Sequence, residues 1–337
     1  MASEITVPAQ EAAAATSNGG KSRLRQPRAF LSHNRLWRRF RNIQAEGFYR
    51  TFKRRRLWSR ILDTAPVITE SLLDSAAIEI HILTYDRDYL SAIWALKSFY
   101  HYSGVRYPLQ IHVQGRASAR MIARLRTHFP CATIIEQAQA DLTTEQWLIE
   151  RGYQRLLVAR RAGIMMMKLI DFILSCRGSH LLAIDSDVIF FRRPDELLAA
   201  IEQPSQKDLF MHDAASSYNI SESQALRDLG IDLAPRVNCG LMLLARDDRR
   251  LARCEDYLTH SDVARTTGLI EQTLHALYDS EHGRVAYLPD NYFVSPDGPT
   301  AESQKLVCRH YAGGSRPLLT DEGMTRLIEQ GFLSDTL

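Results

Sequence analysis

The run Leu181-Leu182-Ala183-Ile184-Asp185-Ser186-Asp187-Val188-Ile189-Phe190-Phe191 sets the terms for any fold of this chain. An apolar, branched run of this length reads as a strand buried on both faces, as in a parallel sheet covered by helices. Two carboxylates do not belong inside such a strand, because an isolated buried carboxylate costs on the order of tens of kcal/mol by a Born estimate. Asp185 and Asp187 therefore belong where the strand emerges, with something positive to compensate them. At i and i+2 their side chains point to one side, which suits a shared divalent cation with hard oxygen ligands. Capping the helix that opens around Pro194, or pairing with Arg192 and Arg193, would also satisfy the two charges.

The flanking sequence supports a layered α/β fold. Ile78 to Tyr85 reads as a strand, Tyr89 to Tyr102 as an apolar helix and Leu109 to Val113 as a second strand. A helix over Ala117 to His128 and a short strand Thr133–Glu136 follow. This alternation predicts a doubly wound, mostly parallel sheet. Ligands in such sheets bind beyond the carboxyl ends of the strands, near the topological switch point, so Asp86–Tyr89 marks a site edge. Thr144 to Cys176 reads as mostly helical, with Met165-Met166-Met167 as core filler. Later strands are expected at Asp208–Asp213, Leu241–Ala245 and Val285–Leu288. Asn238-Cys239-Gly240 reads as a turn into the second of these, and residues 214–235 as an irregular, lid-like segment. Helices around Arg250–Leu258 and Leu269–Leu277 and a terminal helix complete the pattern. No internal repeat is present.

Charge is distributed unevenly along the 337 residues. Residues 1–60 hold 14 of the 42 Lys and Arg but only 3 of the 39 Asp and Glu, a balance of +11 that leaves −8 for the remainder. Residues 1–30 lack apolar periodicity and read as disordered. Across 31–62, Leu36, Trp37, Phe40, Ile43, Phe48, Phe52 and Leu57 recur at helical spacing among Arg and Lys, the signature of a basic amphipathic helix. An anionic membrane surface is the expected partner, with packing of the aromatic face on the body as the alternative. No nucleic-acid partner is expected, because no DNA- or RNA-binding module is recognisable. The domain proper is expected over 75–337.

The five cysteines (Cys131, Cys176, Cys239, Cys254 and Cys308) show no Cys-x-x-Cys spacing. Cys131, Cys176 and Cys239 read as small core residues, and a reducing compartment fits better than a disulfide framework. With no secretory signal pattern and no run of roughly 20 apolar residues, the expected location is cytoplasmic, with peripheral membrane attachment through the leader.

From about Ile78 to Pro317 the chain resembles the nucleotide-sugar-dependent glycosyltransferases of the A-type (GT-A) fold, most closely the retaining family 8 enzymes. The carriers are the D-x-D of Asp185 and Asp187 and the late motif His310-Tyr311-Ala312-Gly313-Gly314-Ser315-Arg316-Pro317, which matches H-x-x-G-x-x-K-P with Arg replacing Lys. The resemblance implies a single Rossmann-like α/β domain and a Mn²⁺ or Mg²⁺ held by Asp185, Asp187 and His310 on the diphosphate of a donor such as a UDP-sugar. It implies donor contacts from Thr84, Asp86, Asp88, Tyr89, Lys168, Ser186, Asn238, Gly240, Gly313 and Arg316. Gln272, Glu271 and Asp213 fall where the family works on the donor sugar, although Glu271 replaces the usual Asp. The implied reaction is transfer to a hydroxyl of a glycan, glycolipid or protein, with retention at the anomeric carbon.

Two other functions fit the motifs. A haloacid-dehalogenase-type phosphatase also begins with an apolar strand and D-x-D, and Asp247-Asp248 imitates its second acidic pair. A catalytically inactive transferase fold, docked to membranes by the basic helix, is the non-enzymatic alternative.

Overall fold

The computed structural model describes residues 55–71, 77–294 and 305–335. They form an α/β domain around a seven-stranded sheet in the order β3-β2-β1-β4-β7-β6-β8. The strands are β1 Ile78–Tyr85, β2 Leu109–Gln114, β3 Thr133–Glu136, β4 His180–Ile184, β6 Asp208–His212, β7 Val237–Ala245 and β8 Val285–Tyr287. β1, β2, β3 and β4 are mutually parallel, and β6 is parallel to β8. β7 runs against both β4 and β6. A second, three-stranded sheet joins β5 Val188–Phe190, β10 Cys308–His310 and β9 Tyr292–Val294.

The period-2 geometry of β4 explains why it is apolar from Leu181 to Ile184. Leu182 and Ile184 enter one core with Ile80, Ile82, Trp94 and Phe99. Leu181 and Ala183 enter the other with Leu169, Phe172, Met242 and Leu274. Burial on both faces leaves no position for polar alternation. Helices are entered by ordinary local chemistry: Ser118 accepts from the Met121 N–H to cap Ala119–His128, and Gly104, at φ 75°, ends Tyr89–Ser103 in the left-handed conformation.

The structure departs from expectation at several places. Leu181–Phe191 is two strands in two different sheets, because the chain turns at Asp185-Ser186-Asp187. Asn238-Cys239-Gly240 lies inside β7, where pairing to β6 jumps from Phe210↔Met242 to Met211↔Asn238. That bulge re-aims the start of β7, as bulges beside sites commonly do. Cys131 is exposed, whereas Cys176, Cys239, Cys254 and Cys308 are buried, and all five are free thiols.

Most of the leader lies outside the described residues. Its end belongs to the body: Ile61 is fully buried, Trp58 Nε1 donates to Thr320 Oγ1 at 2.8 Å, and Trp94 Nε1 donates to the Trp58 carbonyl at 3.1 Å. Among the described residues no helix is long and apolar enough to cross a membrane.

Candidate functional site

Strand order reverses between β1 and β4: β2 and β3 extend to one side of β1, and β4 opens the other. Tyr85 and Asp88 leave β1 at this crevice, and Asp185-Ser186-Asp187 leave β4 there. A cleft of about 530 Å³ lies at the crevice and is lined by both segments, by Lys168, Asp213, Asn238, Gly240, Glu271 and Gln272, and by the loop His310–Arg316. The second sheet brings the C-terminal motif to the first. β10 pairs with β5 so that His310 lies opposite Val188, and the Tyr311 N–H donates to the Asp187 carbonyl at 2.9 Å.

His310 Nε2 stands 3.3 Å from Asp187 Oδ1 and 3.7 Å from Asp185 Oδ2. One ligand atom from each of the three residues falls within 4.8 Å of the others. The remaining carboxylate oxygens are held by cations. Lys168 Nζ lies 2.8 Å from Asp185 Oδ1, and Arg316 donates to Asp187 Oδ2 at 2.8 Å. Each aspartate thus turns one oxygen toward the shared centre and ties the other down.

The tautomer of His310 follows from its partner. The Gly240 N–H donates to Asn238 Oδ1 at 3.0 Å, which identifies that atom as the amide oxygen. His310 Nδ1, 2.8 Å from the same oxygen, must therefore carry a proton and donate it. The Nε2 lone pair then faces the aspartates, and Asn238 Nδ2 donates onward to Asp213 Oδ2 at 2.8 Å. Orientation of a ligating imidazole through its second nitrogen is the usual arrangement around a bound metal. A Cβ on Gly240 would fall 2.1 Å from His310 Nδ1, so the imidazole occupies space that only glycine leaves free. The residues present fit a divalent cation with mixed oxygen and imidazole ligands.

Burial is the largest single influence on His310, Asp187, Lys168 and Glu271, and neighbouring charges outweigh it at the first three. It opposes a charge on His310, but Asp187 and Asp185 outweigh it and raise the imidazole pKa above its ordinary value. Burial likewise favours neutral Asp187, yet His310, Arg316 and Lys168 hold its carboxyl below the usual range. Lys168 is buried, but Asp185 and Glu271 keep it firmly charged. Glu271 is pushed up to about 7, chiefly by burial, with Lys168 pulling down and Asp185 pushing up. The carboxylates of Asp185 and Glu271 share the one Lys168 ammonium.

The expected residues separate into two groups. Asp88, Lys168, Asp185, Ser186, Asp187, Asp213, Asn238, Gly240, Glu271, Gln272, His310, Gly313 and Arg316 all line the cleft. Thr84, Asp86 and Tyr89 do not line it. Thr84 is buried, Asp86 Oδ1 accepts from the Ser118 N–H at 3.3 Å, and the Tyr89 hydroxyl is engaged by Arg124 at 2.5 Å. Period-2 counting puts Thr84 and Asp86 on one side and Tyr85 on the other, and it is Tyr85 that faces the cleft.

Lys168 lies in the wall of the cleft. Its ammonium meets Asp185 Oδ1 at 2.8 Å, the Cys239 carbonyl at 3.1 Å and Glu271 Oε1 at 3.5 Å. Three acceptors match its three donors, so at the wall of the cleft its ammonium is engaged in supporting Asp185. Arg316 forks between Asp187 and Asp88 Oδ1, the latter at 2.5 Å, and Ser186 donates to the other Asp88 oxygen.

Met165, read as core filler, lines the cleft, as do Ile164, Ser217 and Leu269, which carry no sequence signal. Gln272 is fixed at both ends of its amide, donating to the Ser217 carbonyl at 2.9 Å and accepting from the Cys239 N–H at 3.4 Å. Its helix, Ile270–Glu281, is anchored by buried Arg250, which joins Asp279 at 2.8 Å and Asp208 at 2.5 Å.

Asp247-Asp248, the pair a phosphatase would need, follows the end of β7. Because Ala245 pairs with His180 at the start of β4, this pair lies at the end of the sheet opposite Asp185.

No family model matches the chain, and no curated protein matches it. Among solved structures it is similar to mouse xyloside xylosyltransferase 1 at 13% identity, covering 74% of this chain and 99% of that one, with a TM-score of 0.48. It is similar to the galactosyltransferase LgtC in complex with donor and acceptor sugar analogues at 15% identity, with coverages of 76% and 96% and a TM-score of 0.41. It is also similar to core-mannan synthase A from Aspergillus fumigatus in its Mn/GDP form at 11% identity, with coverages of 80% and 89% and a TM-score of 0.44.

Proposed function

We propose that the chain is a metal-dependent glycosyltransferase that moves a sugar from a nucleoside-diphosphate donor, a UDP-sugar, to an acceptor hydroxyl with retention of configuration. The observation that carries this reading is the convergence of Asp185, Asp187 and His310 at the switch point of the sheet, with Nε2 of His310 freed for ligation by Asn238. Asp185, Asp187 and His310 would hold Mn²⁺ or Mg²⁺, which when bound supplies Lewis-acid neutralisation of a departing diphosphate.

The other residues take roles that follow from their contacts. Lys168 orients Asp185 through its 2.8 Å contact with Oδ1. Arg316, 42% exposed at its side chain, is the cation able to turn from Asp88 and Asp187 toward phosphate oxygens. Ser186, Gly313 and Asp88 line the same side of the cleft and complete the donor contacts. Gln272 offers a fixed amide dipole where positive charge develops on the sugar, a form of preorganised stabilisation.

Glu271, 2% exposed and turned to Lys168, is poorly placed as a nucleophile, and Asp213 is occupied by Asn238. Retention is therefore assigned to same-face substitution, in which the leaving phosphate takes the acceptor's proton. A second cleft of about 520 Å³, lined by His212, Arg236, Tyr292 and Phe293, shares Asp213 and Val294 with the first and suits an acceptor approaching the donor sugar.

The test is turnover of UDP-sugars with Mn²⁺, with the product anomer assigned by NMR. Release of UDP that requires Mn²⁺ and is lost in Asp187→Ala, with a retained anomer, is the expected result. An inverted product overturns the stereochemical assignment. Failure to bind both Mn²⁺ and nucleoside diphosphates overturns the enzyme reading.

A further inference from the structure

A second cluster of metal-ligating side chains lies in the other half of β1. Glu79 and His81 on β1 and Cys176 in the turn before β4 are all buried, and one ligand atom from each falls within 4.8 Å of the others. The Glu79 carboxylate is fixed by Gln110 Nε2 at 2.6 Å, the Arg177 N–H at 2.9 Å and the Gly178 N–H at 2.6 Å. His81 Nδ1 meets His112 Nε2 at 3.1 Å, whereas its Nε2 has no hydrogen-bond partner among the described residues. That nitrogen points at Glu79 Oε2, 3.5 Å away. The Cys176 thiol has only weak contacts, 3.7 Å to each of the Gly178 and His180 carbonyls.

A separation of 3.5 Å is long for a hydrogen bond between an imidazole and a carboxylate. It is close to the tetrahedral edge of about 3.3 Å set by metal–nitrogen and metal–oxygen bonds of about 2.0–2.1 Å. We propose that Glu79, His81 and Cys176 form a second metal site, taking a thiophilic divalent cation of the Zn²⁺ type and clamping β1 to the turn that enters β4.

Charge balance supports the assignment. A carboxylate and a thiolate together cancel a divalent ion, and a buried site favours neutrality. Without the ion, Glu79 faces an imidazole that burial disfavours charging, and burial pushes the Cys176 thiol up to about 12. Metal coordination deprotonates a thiol outright. The outer contacts are also in place. His112 fixes the His81 ring, while Gln110 and two backbone N–H groups fix Glu79, the support that ligating groups normally carry. A cleft of about 400 Å³ lies next to the cluster, lined by its neighbours Gln110, His112, Ser175 and Arg177. The sulfur ligand separates this site from the oxygen-rich centre at Asp185, since softer ligands select a different ion.

Co²⁺ titration of the full chain tests this, because a thiolate ligand produces a charge-transfer band in the near ultraviolet that the Asp185–Asp187–His310 centre cannot give. The expected band saturates near one equivalent, is displaced by Zn²⁺, persists in His310→Ala and Cys131→Ser, and is lost in Cys176→Ser. Absence of the band in the folded wild-type chain, or its persistence in Cys176→Ser, overturns the proposal. If Cys176→Ser does not fold, the His310→Ala chain decides alone: Zn²⁺ must raise its melting temperature by mass action, and an unchanged value overturns the site.

Discussion

Gly240 and His310 come from strands of two different sheets, yet the imidazole lies where a side chain of residue 240 would begin, 2.1 Å from the position of a Cβ. Gly240→Ala must therefore displace the ring of the proposed Asp185–Asp187–His310 metal site. A misplacement of about 1 Å at such a centre costs on the order of 100-fold in activity. We expect Mn²⁺ affinity to fall by a similar factor while far-UV circular dichroism stays native. Wild-type Mn²⁺ affinity in Gly240→Ala would show that His310 is not a ligand.

Asn238 is the positioning residue for that ring. Asn238→Leu removes the oxygen that accepts from His310 Nδ1 and frees both tautomers. Loss of such an outer partner typically costs about 10–100-fold in metal affinity. Calorimetric Mn²⁺ titration, with chemical shifts of the His310 ring nitrogens as the second readout, checks this. An unchanged tautomer would place the control elsewhere.

Metal affinity should depend on pH through His310. Its pKa is raised in the cation-free protein, so a proton competes with the metal from a higher pH than at an ordinary histidine. Affinity is expected to fall about tenfold per pH unit below that raised value, with about one proton released per ion bound. Isothermal titration in buffers of different ionisation enthalpy measures the release. A pH-independent affinity between 5 and 8 contradicts the assignment.

Glu271 has a folded pKa of about 7 against a reference of 4.5. The folded state binds the extra proton, so its stability contribution is best at low pH, declines as pH rises from 4.5 to 7, and is a full penalty above that. Glu271→Gln should therefore gain stability relative to wild type at pH 8 and show little gain at pH 5. Urea unfolding at both values decides, and an equal effect at the two pH values refutes the shared-ammonium account.

The end of the basic leader is structural. A chain beginning at Asp63 loses buried Ile61 and the Trp58 bonds to Thr320 and Trp94, whereas one beginning at Phe52 keeps them. By analogy with large core truncations the shorter chain should be less stable by about 3 kcal/mol or more. Equal melting temperatures for the two chains would refute the packing.

Local sequence reads the α/β alternation well because each strand carries its own apolar pattern: β4 is apolar from Leu181 to Ile184, while β1 and β2 alternate apolar residues with polar ones such as Glu79, His81, Gln110 and His112 that are themselves buried. Thr84, Asp86 and Tyr89 do not line the cleft, because sequence proximity to a strand exit does not fix which side chain points into it. The charge of Lys168 is visible in sequence, whereas its three acceptors, from the turn after β4, from β7 and from the helix Ile270–Glu281, are not. Nothing in Asn238-Cys239-Gly240 announces a strand, since the bulge there is set by pairing with β6.

By itself the sequence determined that Asp185 and Asp187 leave a buried strand, because the desolvation cost of a carboxylate allows nothing else. It also determined that a histidine and a basic residue follow late in the chain. Only the tertiary structure decided that these ends meet. The pairing of β10 with β5 sets His310 beside Asp187, and the bulge in β7 supplies Gly240 and Asn238 to receive the ring. Register between distant strands depends on packing over the whole molecule, and so do the distances on which the chemistry depends.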